Sequence, residues 1–147
     1  MAARKHGAAG LIFAVAGVTG GAAAGEAAGT DPLARHRWAS RVLVLSAPDA
    51  ADRNLKGQRE ALASARAETR ARDLVVVEAV GFDARARALR RRLDLPADGF
   101  RAVLVGKDGG AKLTASEPIP PQRLFATIDA MPMRQDEMRK DETRRGR

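Results

Sequence analysis

Two runs of large branched residues constrain this chain more than any other feature. They are Val42-Leu-Val-Leu45, inside Arg41 to Ser46, and Leu74-Val-Val-Val77, which extends through Val80. Four consecutive large apolar positions fall short of an ordinary helix and lack the alternation of a half-exposed strand. They read as strands covered on both faces, and such strands need helices on both sides of their sheet. A third strand runs from Phe100 or Arg101 to Val105, and Ala111 to Ala115 alternates apolar and polar as an edge strand does. Asp108-Gly109 between them is a hairpin signal.

The intervals supply the helices. After the loop Ala47 to Asp52, Asp52 is placed to cap one long polar helix reaching about Arg72, with Leu55 and Leu62 on a thin apolar face. Phe82, Ala86, Leu89 and Leu93 recur at helical steps, so Asp83 to Leu93 is a second helix. Arg85, Arg87, Arg90, Arg91 and Arg92 are expected on the rest of its surface. Pro120 and Pro121 open a last helix, Leu124, Phe125, Ile128 and Met131 form its apolar face, and Pro132 stops it. From Arg134 onward charges of both signs alternate without an apolar period, which reads as frayed helix or disorder. The order is β-α-β-α-β-β-α. Two βα units imply parallel strands with right-handed crossovers, and the hairpin adds an antiparallel edge. The expected fold is α/β and thioredoxin-like: a central four-stranded mixed sheet flanked by helices.

The N-terminus has a different logic. Arg4, Lys5 and His6 precede the apolar run Leu11 to Val18 and the small-residue stretch Thr19 to Gly29. Basic, apolar and small parts in that order form a secretory signal segment, with an A-x-A site at Ala22 and Ala24. The division expected is a signal peptide at residues 1–24 (cleavage as late as Ala28), a linker at 25–37, a domain at 38–133 and a charged tail at 134–147. The apolar run is far shorter than the ~20 residues of a membrane-spanning helix. No such helix is expected after cleavage, and the location is periplasmic or secreted. Cutting after Ala24 leaves 24 positive and 18 negative charges, a net of +6. That surplus suits an anionic surface, but with three per cent aromatics there is little on which nucleic-acid bases could stack, so nucleic acid is not an expected partner.

Several segments together resemble the P-DUDES family, a bacterial domain of unknown function. They are Arg37-Trp38, the strand ending at Ser46, Gln58, and Arg72-Asp73 with the strand that follows. Further on come Leu104 to Leu113, with Gly106-Lys-Asp-Gly-Gly110 as its specific part, and Ile128 to Met138, with Asp129-Ala-Met-Pro-Met-Arg134 as its specific part. The likeness spans about Trp38 to Met138. It implies a thioredoxin- or peroxiredoxin-like fold, with relatives in vertebrate sushi-repeat secreted proteins, and it brings no settled activity. Trp38, Gln58, Arg72, Asp73, Lys107, Asp108 and Arg134 are the residues it singles out.

The chain has no Cys. In thioredoxin-like enzymes the reactive thiol stands after the first strand, at a helix N-terminus that lowers its pKa. Here that place reads Ser46-Ala-Pro-Asp-Ala-Ala-Asp52, so cysteine-based redox catalysis is excluded for this chain. Asp49 and Asp52 suit a turn and a cap better than acid–base work. Gly106 to Gly110 lacks the spacing of a phosphate-binding loop and opens a strand, so Gly109 and Gly110 are assigned to a hairpin with positive φ. Met131 and Met133 could offer thioethers to Cu(I), although no His or Cys stands nearby in sequence, and the alternative places them in packing. The Arg run of the second helix is either a solvated face or a contact for an anionic partner. The reading is of an exported binding or envelope-associated structural module, not an enzyme, with no cofactor. Its candidate binding residues are Arg85, Arg90, Arg91, Arg92, Lys107 and Asp108, and its partner an anionic envelope component or a protein. A Cu(I)-binding protein through Met131 and Met133, or a cysteine-independent enzyme, is the alternative.

Overall fold

The computed structural model describes residues 30–147. The signal segment and its cleavage site lie outside the described residues. The elements are β1 (Arg41–Ala47), α1 (Arg53–Ser64), α2 (Arg66–Ala71), β2 (Leu74–Val80), α3 (Ala84–Leu93), β3 (Arg101–Val105), β4 (Ala111–Ala115), α4 (Pro121–Asp129) and α5 (Pro132–Arg145). The four strands form one mixed sheet in the order β2-β1-β3-β4. Every residue of β1 is buried, as a central strand with all-apolar patterning demands.

Alternation along β1 divides the core in two. Leu43, Leu45 and Ala47 face one side, where Leu55 and Leu62 of α1 and Leu124, Phe125 and Ile128 of α4 cover them. Val42 and Val44 face the other side, where Ala86 and Leu89 of α3 complete a smaller cluster. Burying each such Leu or Ile contributes roughly 1.5–3 kcal/mol. Leu33 also enters the second cluster, at 4% exposure. The stretch Asp31 to Arg37, expected as linker, is thus folded onto the domain, with a short 3-10 turn at Ala34–His36.

Four expectations about the path of the chain are corrected. The long helix from Asp52 is two helices, because Ala65 leaves helical geometry (φ −122°, ψ 35°) and α2 then packs on β2. Asp52 does cap α1, accepting from the Leu55 N–H at 2.9 Å. β1 and β2 are parallel, but β3 runs antiparallel to β1. Ala47 is level with Val80 and Ser46 with Arg101, so the α3 connection re-enters the sheet at the end it left and must run back down. In the hairpin only Gly109 has positive φ (85°); Gly110 does not. Residues from Arg134 onward continue the ordered helix α5, although none of its residues is buried.

β2 is an outer strand with one neighbour, and Val76 on it is 40% exposed. Glu78, two residues on, is gripped by Arg59 of α1 through two bonds of 2.7 and 2.6 Å.

Candidate functional site

The first residue of the central strand is charged. Arg41 opens β1 and is 1% exposed, so its guanidinium must find acceptors inside the protein. Its Nη1 donates to the Arg72 carbonyl at 2.9 Å, and Nη1 and Nη2 each reach the Glu137 carboxylate at 3.3 Å. Its Nε is buried with no hydrogen-bond partner among the described residues. An unsatisfied buried donor of this kind costs about 1–3 kcal/mol.

Glu137 comes from α5, and it draws in a second cation. Lys107 of the hairpin donates to Glu137 at 2.7 Å and to Asp73 at 2.8 Å. Arg72 grips Asp129 at the end of α4 through Nε and Nη2, at 2.9 and 2.7 Å, and lies over the Phe125 ring at 4.5 Å. Arg134 stands between Asp129 and Glu137, at 3.4 and 3.5 Å. Four cations (Arg41, Arg72, Lys107, Arg134) therefore meet three carboxylates (Asp73, Asp129, Glu137), leaving one positive charge in surplus. Burial works against the charge on Glu137, but the bonds from Lys107 and Arg41 outweigh it and hold its carboxyl below the usual range. Asp129 shows the same balance, with Arg72 and Arg134 as partners. Burial likewise opposes the charge on Lys107, and Asp73 and Glu137 overcome it and raise its pKa. Glu137, Asp129 and Lys107 are thereby favoured in their charged forms, an arrangement suited to holding charge.

Two strained residues flank Lys107. Trp38 has φ 65° and Asp73 φ 47°, in the left-handed region that side chains other than Gly disfavour. The Lys107 carbonyl accepts from the Trp38 N–H at 2.7 Å, and its ammonium binds the Asp73 carboxylate. Trp38, the only Trp of the chain, is nevertheless 65% exposed. The indole is thus presented to solvent from a backbone in the left-handed region.

Beside the cluster lies a cleft of about 260 Å³. Arg41, Lys107, Asp108 and Lys112 line it together with Thr127, Ala130, Met131, Pro132 and Met133. Asp108 is tied to Lys112 at 2.7 Å and to the Gly110 N–H at 3.0 Å, so it serves the hairpin. The two methionines share this cleft with Arg41, Lys107, Lys112 and Asp108.

The Arg run of α3 is divided by its surroundings. Arg90 is not a surface residue: it is 4% exposed and inserted at the end of the sheet. Its Nε donates to Ser46 Oγ at 2.9 Å, Nη2 to the carbonyls of Ala47 and Ala79 at 2.9 Å each, and Nη1 to that of Gly81 at 2.6 Å. The strand ends present carbonyls there, that of Ala47 also accepting from the Gly81 N–H at 3.1 Å, and the planar fork meets them from α3. Arg92 bonds Asp31 at 3.1 Å and the Gly109 carbonyl at 2.8 Å, joining α3 to the hairpin. Arg85, Arg87 and Arg91 remain exposed. Gln58 lies away from the cluster, buried, exchanging bonds with the Ile119 N–H and carbonyl at 2.6 and 3.1 Å. Asp49 bonds the Ala51 N–H, Asp52 caps α1 and Glu78 pairs with Arg59, so these three acids form no set.

Of the residues the resemblance singles out, Trp38, Arg72, Asp73, Lys107 and Arg134 join one cluster. Arg41, Asp129 and Glu137 complete it; Asp129 and Glu137 lie within a segment that carries the resemblance without being singled out there, and Arg41 is marked only by the oddity of an Arg opening an apolar strand. A family model described as "Domain of unknown function (DUF4174)" matches residues 32–137. No curated protein and no solved structure matches the chain.

Proposed function

The chain belongs to the DUF4174 family, a domain of unknown function, and from that premise we propose that it is an exported, non-enzymatic binding module. Its contact site is the sheet end around Lys107, and its partner is an anionic component of the cell envelope, met in the periplasm or outside the cell. The observation that carries this reading is the buried Arg41, opening an apolar strand beneath a cluster with one positive charge in surplus. A charge that costly to bury suits a stationary site for an anion.

Three further points support the reading. The sheet order β2-β1-β3-β4, with β3 reversed and helices on both faces, favours a thioredoxin-like domain and the likeness to P-DUDES. Without Cys the chain lacks the redox chemistry of such folds. The basic, apolar and small-residue order at residues 1–24 favours export, and among the described residues no helix is long and apolar enough to cross a membrane.

The test is retention of periplasmic components on the immobilised chain at rising salt. Retention that falls with salt and is lost in Lys112→Glu, at the exposed rim of the cleft, is the expected result. Arg85→Ala and Arg91→Ala should leave it unchanged. Equal retention by wild type and Lys112→Glu removes the reading, and loss in the α3 variants alone moves the contact to α3.

A further inference from the structure

Three arginines of this protein hold carboxylates in two different ways. Arg59 and Arg72 grip theirs by the Nε–Nη2 edge, at 2.6 to 2.9 Å, with both oxygens engaged. Arg41 holds Glu137 end-on through Nη1 and Nη2 at a looser 3.3 Å, and its Nε–H is left without an acceptor. The edge that grips Glu78 and Asp129 is thus half used at Arg41, the more deeply buried of the two buried arginines among the described residues. Arg41 lines the cleft next to Lys107, on whose far side stand the apolar Ala130, Met131, Pro132 and Met133.

Taking the location of the site from the reading above, we propose that this cleft binds a monocarboxylate with a compact apolar body. Its source is either a free organic acid or the last residue of a polypeptide. The carboxylate is drawn by Arg41, Lys107 and Lys112, the three cations that line the cleft. One negative charge neutralises the single positive surplus of the cluster, whereas a dianion would overshoot it. The apolar body lies against the methionines, whose unbranched thioethers reshape around a guest. At about 260 Å³ the cleft is smaller than the ~300–1,000 Å³ of pockets for drug-sized ligands, so the body is short.

The experiment is a titration of the purified chain, followed by the methyl NMR signals of Met131 and Met133. Hexanoate stands for a free acid, N-acetyl-leucinate for a polypeptide end, and hexanamide for the same body without charge. Saturable shifts at both methyls with at least one carboxylate are expected, with hexanamide weaker by about tenfold or more. Tighter binding of N-acetyl-leucinate assigns the source to a chain end, and tighter binding of hexanoate assigns it to a free acid. Met133→Glu, at a position 38% exposed and so tolerant of charge, should abolish both, with an unchanged melting temperature showing that the fold persists. Equal affinity for hexanamide, or no shift at either methyl, overturns the proposal. Salt-sensitive retention of an envelope component without carboxylate binding leaves the broader reading standing while this one falls. Carboxylate binding without such retention does the reverse.

Discussion

The carboxylate of Glu137 sits on the guanidinium of Arg41, a residue 96 positions earlier in the chain. This contact joins the last helix to the first strand; α5 has no buried side chain, and its other ties are the ion pairs Lys107–Glu137 and Arg134–Asp129. Glu137→Gln keeps the shape but removes the charge, leaving Arg41 buried without its counter-ion. Loss of a fully buried partner costs about 3–5 kcal/mol, and partial exposure of Glu137 reduces this to about 1–3 kcal/mol. Urea unfolding should show it as a lower midpoint. Asp136→Asn, on the exposed side of the same helix, should stay within about 0.5 kcal/mol. Equal effects of the two would mean that the contact has no special weight.

The cluster also sets the pH range of stability. Glu137 and Asp129 have folded pKa values below their unfolded ones, so their contribution is complete above about pH 4.5 and fades as pH falls through the folded values. Lys107 is raised, so its share is present below about pH 10.4 and is lost only as pH rises through its folded value. Unfolding midpoints should therefore form a plateau between these limits. The acid limb should be shallower in Glu137→Gln than in wild type. Parallel acid limbs would sink this assignment.

Neighbouring arginines on α3 should behave in opposite ways. Arg90→Met removes donors from Ser46 Oγ and three main-chain carbonyls at once, at an expected cost of about 2–4 kcal/mol. Arg91→Ala, on the exposed face, should change stability by less than about 0.5 kcal/mol. Chemical denaturation of both variants decides the matter, and a tolerant Arg90 would show that the strand ends need no such cover.

Trp38→Gly separates folding from contact. Gly adopts a φ of 65° freely, and an exposed indole contributes little burial, so stability should rise by up to about 1 kcal/mol. Retention of the anionic partner should nevertheless fall, because the aromatic anchor is gone. A variant that melts higher and binds as before would remove Trp38 from the contact.

The strands were legible because their patterning is local: a run such as Val42 to Leu45 has few other uses. The caps at Asp52 and Asp83 and the faces of α3 and α4 follow from the same short-range chemistry. Arg90 was not legible, because in an Arg-rich helix nothing local distinguishes the one residue aimed at Ser46 and Ala47. Its burial depends on carbonyls 43 and 11 positions away. α5 failed for a related reason. Its anchorage is ionic and long-range, and a helix without an apolar period looks like a solvated tail. The direction of β3 depends on where the loop after α3 comes back to the sheet, which hydrophobic period does not encode. The cluster itself was half visible: the resemblance singled out Trp38, Arg72, Asp73, Lys107 and Arg134, whereas Asp129 and Glu137 were only part of a segment that carries it and the strand-opening Arg41 was not singled out.

The outer margin of β2 has a wider consequence. Seven residues of main chain run along it with a neighbour on one side only, and Val76 is exposed on its face. Such a margin invites a stray strand from another molecule to dock and extend the sheet. Arg59, Arg66, Arg70 and Glu78 line the groove beside it, so an incoming strand would have to strip water from four ionic groups. The charges that dominate this chain's composition thus act as insulation. They raise the cost of adding a further strand along this margin.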